Sequence, residues 1–351
     1  MCGCTVQRSM KHMFMLALLA PVALSAQPAA APKPADAQKS PEKSAVDTEI
    51  LHVQVILDKL GFAPGVLDGK GGQSLVDAIK GFQESRGLKI TGKTDDATLD
   101  VLSAYRAWQP VRTLQLTEAS LAGPFTMPFP KDPVEQAKLP ALNYRDALEA
   151  LSERFHTTPA TLVALNPGGQ LAPGAWLKFP NALPTSRDHG AGTGAGDAKR
   201  TAMFNHFNVS ADQPKGKRIV VDESDGVLRV FDAEDRLIAQ FPATMGSKRD
   251  PLPLGSWTVK GASFNPTWGY DPALLKTADQ SNPKLDIPAG PNNPVGVVWL
   301  DLSKEHYGIH GTNEPQQIGR AQSNGCIRLT NWDAARLAIM IEPGTVALFQ
   351  A

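Results

Sequence analysis

Two stretches that read as linkers divide this chain, and they restrict it to several small domains rather than one large core. Gln27 to Ser44 is rich in Pro, Ala and Lys and low in aromatics, so it has no means of packing a core. Leu183 to Gly216 is a second linker, marked by Gly190-Ala191-Gly192-Thr193-Gly194-Ala195-Gly196. A length of 351 residues fits two or three domains.

Residues 1–26 read as an export signal. Arg8 and Lys11 make a positive start, Met13 to Ala20 a short apolar run, and Ala23-Leu24-Ser25-Ala26 a small-residue cleavage region. Pro21 breaks the run before it is long enough to span a bilayer comfortably, so no membrane span is expected after the signal is removed. Cys2 and Cys4 leave with the signal, and Cys326 is then the one thiol of the mature chain. It can form no internal bridge. A lone thiol in an oxidising compartment needs a reason, and function is one. Removing Arg8 and Lys11 leaves 33 basic against 35 acidic residues, which argues against nucleic acid as a partner and against a polybasic membrane anchor.

Between the linkers the texture is helical. Over residues 49–107, Val53, Val55-Ile56-Leu57 and Leu60 give one apolar face. Ser74 opens a second helix through Ala78-Ile79 and Phe82 that Gly87 closes, and Asp95 or Asp96 starts a third. Residues 108–137 read as a connector. After residue 216 the runs become short and β-like: Arg218 to Val221, Val227 to Phe231, Leu237 to Phe241, Trp257 to Val259, Val295 to Leu300 and Val346 to Phe349. One helix follows a Thr330 capping segment and stops at Pro343-Gly344.

Cys326 stands in Ser323-Asn324-Gly325-Cys326-Ile327-Arg328-Leu329, 16 positions after His310 in Tyr307-Gly308-Ile309-His310-Gly311-Thr312. Most lone cysteines are inert buried hydrophobes. A thiol flanked by glycine and arginine, with a histidine upstream, instead contains the parts of an acyl-transfer site. His310 meets Cys326 only if residues 313–322 fold back. The Gly325 and Cys326 amides could then serve an oxyanion, worth about 3 kcal/mol per donor. Arg328 shares a strand face with Cys326, suited to gripping a substrate carboxylate; the alternative is an ordinary surface ion pair. His306 is a rival base that no motif position claims. No metal or other cofactor is expected, since the seven histidines are scattered and no ligand-spaced cluster occurs.

These motifs carry three resemblances. Residues 217–351 resemble the L,D-transpeptidase catalytic domain, through His310-Gly311-Thr312, Ile318-Gly319, Ser323 to Leu329, Asn265-Pro266-Thr267-Trp268 and Pro288 to Gly296. Residues 49–107 resemble a peptidoglycan-binding domain, through Val53-Gln54, Leu60-Gly61-Phe62, Leu67-Asp68-Gly69, Phe82-Gln83, Gly87-Leu88 and Thr91-Gly92. Residues 138–182 resemble a degenerate LysM module, with Tyr144-Arg145-Asp146-Ala147 in place of its usual Gly-Asp-Thr start. The implied fold is multidomain: a mainly-β catalytic domain preceded by a small three-helix domain and a small α+β module.

The transpeptidase resemblance implies that Cys326 is the nucleophile and His310 the base of a thiolate–imidazolium pair. It also implies that the Gly311 carbonyl orients that histidine and that Arg328 seats substrate. Asn324 replaces the histidine common before Gly-Cys, and with Ser323 it is expected at the substrate. Residues 264–294 are expected as a lid, with Trp268 and Tyr270 as candidate lining. The implied reaction takes the carbonyl of residue three of a tetrapeptide stem, releases D-alanine, and passes the acyl group to an amine. That amine belongs to a second stem or to an outer-membrane protein. Peptidoglycan stem peptides and glycan are the implied partners, in the periplasm. The alternatives are hydrolysis at the same site, as L,D-carboxypeptidase or endopeptidase, and a wall-binding protein without catalysis.

Overall fold

Side-chain caps start two of the three N-terminal helices. Asp47 accepts from the Glu49 and Ile50 amides ahead of α1 (Thr48–Lys59), and Asp95 accepts from the Thr98 amide ahead of α3 (Asp96–Ser103). α2 (Gln73–Ser85) follows Gly72 without a side-chain cap. Ile56, Leu57, Ile79, Phe82 and Leu102 form their shared core. Two buried glutamines lock the loops. Gln54 donates to Asp68 Oδ1 and Lys70 O and accepts from the Asp68 and Gly69 amides, at 2.8–3.1 Å. Gln83 does the same for the Thr91 to Lys93 turn and for Thr98, again at 2.8–3.0 Å. The Gln54 and Gln83 amides of the sequence signature are thus spent on holding backbone.

The computed structural model describes residues 46–190, 195–247, 250–275, 278–320 and 325–351, all within one unit, Lys43–Ala351. The export signal, the first tether up to residue 45, Ser323 and Asn324 lie outside the described residues.

Two boundaries differ from expectation. The connector 108–137 carries β1 (Val111–Gln115), α4 (Glu118–Leu121) and α5 (Pro133–Gln136). β1 pairs antiparallel with β2 (Trp176–Pro180), and between them lie α6 (Ala147–Arg154), capped by Asp146, and α7 (Pro159–Leu165), capped by Thr158. Leu116, Leu151, Phe155, Leu162, Leu177 and Phe179 make this unit's core. The module expected from residue 138 therefore gains its first strand from the connector. Five residues with little apolar alternation do not announce a strand by themselves. The second linker contains α8 (Ala195–His206), and Phe204, Phe207 and Val209 are buried in the main core. The apolar residues that dock it sit at its C-terminal end and beyond, past the glycine run.

The remaining strands are β3 (Arg218–Asp222), β4 (Val227–Phe231), β5 (Leu237–Pro242), β6 (Gly255–Phe264), β7 (Trp268–Tyr270), β8 (Leu285–Ile287), β9 (Val298–Leu302), β10 (Gly308–His310), β11 (Ile327–Arg328) and β12 (Val346–Gln350). Eight of them make a mixed sheet in the order β11-β10-β9-β6-β12-β3-β4-β5, while β7 and β8 form a separate hairpin. α9 (Asn331–Met340), capped by Thr330, lays Trp332, Ala335 and Leu337 into the sheet core.

The helical domain covers one sheet edge. The Ala63 amide donates to Gln240 O and the Gln240 amide to Gly61 O, both at 2.9 Å, and Leu237 enters the helical core. Pairing β5 in this way removes an open strand edge. A buried ionic cluster joins three regions: Asp58 of α1 meets Arg336 of α9 at 3.3 Å and His156, just after α6, at 3.0 Å. Arg336 and His156 hold the Asp58 carboxyl well below its usual range although burial opposes them.

Candidate active site

Strand register builds the site. β10 and β11 run parallel with His310 opposite Arg328 and Ile309 opposite Ile327. Side chains alternate along a strand, so Cys326, two residues before Arg328, lies on the face that carries His310. All three line one cavity of about 710 Å³. β11 is held on its other side by Thr244, whose backbone exchanges hydrogen bonds of 2.8 and 3.0 Å with that of Arg328. The short 3-10 turn Pro315–Gln317 lies between the two strands, in the 313–322 segment expected to fold back.

His310 is buried and stacks on Trp299, with ring centroids 5.2 Å apart and 16° between planes. Its Nδ1 lies 2.7 Å from the Gly311 carbonyl oxygen. Burial, then the nearby Arg328 cation, lowers its pKa to about 3, against partial opposition from the Gly311 and Val295 carbonyls. Burial likewise raises the Cys326 thiol, opposed by a Gly308 backbone hydrogen bond and by Arg328. Its Sγ donates to the His306 carbonyl at 3.8 Å. Both shifts favour the uncharged forms, a neutral imidazole and a protonated thiol, over the thiolate–imidazolium pair anticipated, and burial is the first cause of each. Burial also lowers the Arg328 pKa, and its Nε has no hydrogen-bond partner among the described residues.

The other candidates separate. Trp268 lines the cavity with Trp299 and Tyr307. Tyr270 does not: it is 5% exposed and packs with Leu142 and Ile287 in the small core under the β7–β8 hairpin. Alternation would put Trp268 and Tyr270 on one face, and their rings do touch at 5.5 Å, but Leu142 and Ile287 enclose Tyr270 while Trp268 is left at the edge of that core, where the cavity begins. Trp268, Tyr270, Leu285 and Ile287 of the 264–294 segment share this core with Phe129 and Ala137 from the connector and Leu139 just beyond it. Gly325 precedes the thiol with φ +96°, a left-handed conformation that favours glycine. His306 also lies in a left-handed turn, at φ 64°, with its side chain 60% exposed and Nε2 3.5 Å from Glu305. It reaches the site through its carbonyl oxygen.

Sequence reasoning missed two supports. Trp299 faces His310 across the β9–β10 register and covers its ring. Asn331, the first residue of α9, accepts from the Val297 amide at 3.2 Å and donates to Glu153 Oε2 at 3.1 Å. Its Oδ1 also fills the space beside two glycines, since a Cβ added to Gly296 or Gly311 would come within 2.1 or 2.2 Å of it. Glu153 in turn accepts from the Tyr144 hydroxyl at 3.1 Å, and burial raises its pKa to about 8. A hydrogen-bonded path thus runs from α6 through Asn331 to the Val297 amide, and Asn331 packs directly against Gly311, the residue after His310. The Asn at the start of a capped helix was the available signal for Asn331, and nothing local marked Glu153.

A histidine on β10 and a cysteine just before its parallel partner β11 thus face one cavity at the end of a mixed sheet. Residues 216–348 match the L,D-transpeptidase catalytic domain family, and residues 47–102 match the family described as "Putative peptidoglycan binding domain". "Putative L,D-transpeptidase YkuD" of Bacillus licheniformis is 28% identical over 203 residues, 57% of this chain and 91% of that protein. "Putative L,D-transpeptidase in ATP synthase subunits region ORF 5" of Fuscovulum blasticum is 31% identical over 144 residues, 41% of this chain and 72% of that protein. "Probable L,D-transpeptidase ErfK/SrfK" of Escherichia coli is 32% identical over 133 residues, 37% and 42% of the respective lengths. A solved "L,D-transpeptidase from Mycobacterium smegmatis" is 22% identical, with 38% and 58% coverage and a TM-score of 0.31, a partial likeness. The chain belongs to the L,D-transpeptidase family. Its helical N-terminal domain is of the peptidoglycan-binding kind.

Proposed function

We propose that this protein is an exported L,D-transpeptidase acting on peptidoglycan in the periplasm. The observation that carries the reading is the β10–β11 register, which turns His310, Cys326 and Arg328 toward one cavity in a chain of this family. Cys326 attacks the carbonyl of residue three of a tetrapeptide stem while His310 takes the thiol proton. The Gly325 and Cys326 amides receive the oxyanion, worth about 3 kcal/mol per donor. Collapse expels D-alanine, whose amine regains a proton from His310, and leaves a thioester on Sγ. An amine of a second stem or of an outer-membrane protein then attacks the thioester, and the thiol is restored.

The direction of both shifts supports reading His310 as taking the proton during attack rather than holding a standing charge. Arg328 supplies the cation that stabilises the forming thiolate and receives the stem carboxylate. Asn331 and Glu153 act as positioning residues behind the Gly311 peptide. The strand–helix–helix–strand order of β1, α6, α7 and β2 supports reading that unit as LysM-like, and no membrane-crossing helix occurs among the described residues.

Intact-mass measurement after carbapenem treatment tests the nucleophile: one adduct is expected on the wild type and none on Cys326→Ala. Incubation with tetrapeptide-rich sacculi tests the reaction. New 3–3 dimers are expected; tripeptides alone would establish hydrolysis instead. A wild-type chain that takes no adduct would leave a wall-binding protein without catalysis.

A further inference from the structure

A second cavity of about 930 Å³, larger than the catalytic one, lies between residues 119–125, α6 and α8. Nothing in the proposed reaction uses it. Its charged lining is mostly cationic: Arg154, Lys199 and Arg200 against the carboxylate of Asp197, which is paired with Arg200 at 2.8 Å. His206 adds no charge, because burial, then Arg154, lowers its pKa to about 4. Arg154 is half-buried and forms no ion pair among the described residues. The guanidinium of Arg187, whose charge acts on it, binds Asn205 and Asn208 at 2.8–3.3 Å rather than a carboxylate. A partly buried guanidinium beside a second cation and no acid is ready to take an anion from a ligand. Phe125 and Phe264 add aromatic faces to the same cavity.

The two cavities share walls. Phe264 and Asn265 line this one while Ser263, Pro266 and Thr267 line the catalytic one; Pro291 and Val297 likewise oppose Pro294 and Val295. Tyr144, at the start of the path through Glu153 and Asn331 to Gly311, also faces this cavity.

We propose that this cavity is a second wall-binding site, which takes the carboxylate-terminated end of a stem peptide with Arg154 as its receptor. The inference rests on the wall-peptide function given above. A stem peptide fits because it pairs a terminal carboxylate with small apolar side chains, matching a lining that combines Arg154, Lys199 and Arg200 with Leu151, Met203 and Val297. A guanidinium grips such a carboxylate through two parallel hydrogen bonds. Holding one stem beside the catalytic cavity raises the effective concentration of the strand to which it is attached.

Calorimetric titration of full-length Cys326→Ala with the free tetrapeptide stem tests this, because no turnover occurs. Two saturable sites are expected, and Cys326→Ala/Arg154→Gln should retain one, the other weakened about tenfold or more. Arg154→Lys should weaken it less. Equal isotherms for Cys326→Ala and the Arg154→Gln double variant would overturn the proposal. So would displacement of the Arg154-dependent peptide by inorganic phosphate at equal concentration, which would mark a general anion site. The carbapenem adduct on Arg154→Gln with Cys326 intact should form at the wild-type rate, which also shows that the variant folds. An absent adduct on the wild type would refute the catalytic reading, while the isotherms would still report on the cavity.

Discussion

Two histidines in this protein are buried against tryptophans in nearly the same way, and their surroundings give them opposite work. His156 stacks on Trp332 with centroids 5.0 Å apart and 6° between planes; His310 stacks on Trp299 at 5.2 Å and 16°. His156 places Nδ1 3.0 Å from the Asp58 carboxylate and Nε2 2.7 Å from the Phe207 carbonyl, so both nitrogens are committed to holding regions together. His310 has a backbone carbonyl on Nδ1, a cation nearby and an open cavity beside it. Burial and stacking therefore do not identify a reactive histidine. A carboxylate neighbour turns the ring into a rivet, whereas burial and a nearby cation, against the pull of the Gly311 carbonyl, favour the neutral form of His310 beside its cavity.

Substitutions at the two histidine sites should divide accordingly. At the catalytic one, Cys326→Ala should abolish carbapenem acylation, and His310→Gln should slow it by about 10²- to 10⁴-fold with little change in melting temperature. Equal acylation of His310→Gln would move the base elsewhere, with His306 the first alternative. At the structural one, Asp58→Ala leaves buried Arg336 with Asp333 at 3.6 Å and takes the carboxylate from His156, for a loss of about 3 kcal/mol in urea unfolding. Acylation per folded molecule should stay near wild type. If Asp58→Ala instead left stability intact and slowed acylation, the contrast between rivet and base would fail.

Smaller effects sharpen the comparison. Asn331→Ala removes the support behind Gly311 and should lower kcat about tenfold with KM nearly constant, the pattern of a contact that acts in the transition state. The pH profile of acylation separates the two charge states of the resting pair. With the His310 pKa lowered to about 3, no acid limb from this residue should appear between pH 5 and 8. A limb near the ordinary histidine range would restore the ion-pair picture.

Glu153 gives the mildest test. Its folded-state pKa of about 8 lies above the ordinary 4.5, so the folded protein binds this proton more tightly than the unfolded chain. Stability from this group is full below about pH 4.5 and drains as pH climbs toward 8. Thermal melts of Glu153→Gln should lack that part of the wild-type decline, and matching slopes would show that Glu153 is not buried as described.

Much of the site was readable because it is local in sequence. Gly325-Cys326-Ile327-Arg328 and His310-Gly311 announce themselves by residue type and spacing, and the alternation of Cys326 with Arg328 needs only a strand. Tyr270 was misread because a three-residue strand cannot reveal which of its side chains turns inward. α8 was hidden by the glycines before it, and β1 by its brevity. Neither has a local pattern strong enough to compete with a linker reading, and both depend on partners distant in the chain.

Residue order alone determined the chemistry on offer: a thiol at Cys326, an imidazole 16 positions earlier, glycines beside each, and helical and β-textured domains in a set order. Tertiary structure decided what state those groups rest in and what stands behind them. Desolvation and the position of a charge depend on everything folded around a group, which is why the neutral pair, the stacked Trp299 and the reach of Glu153 through Asn331 to Gly311 appear only once distant segments meet.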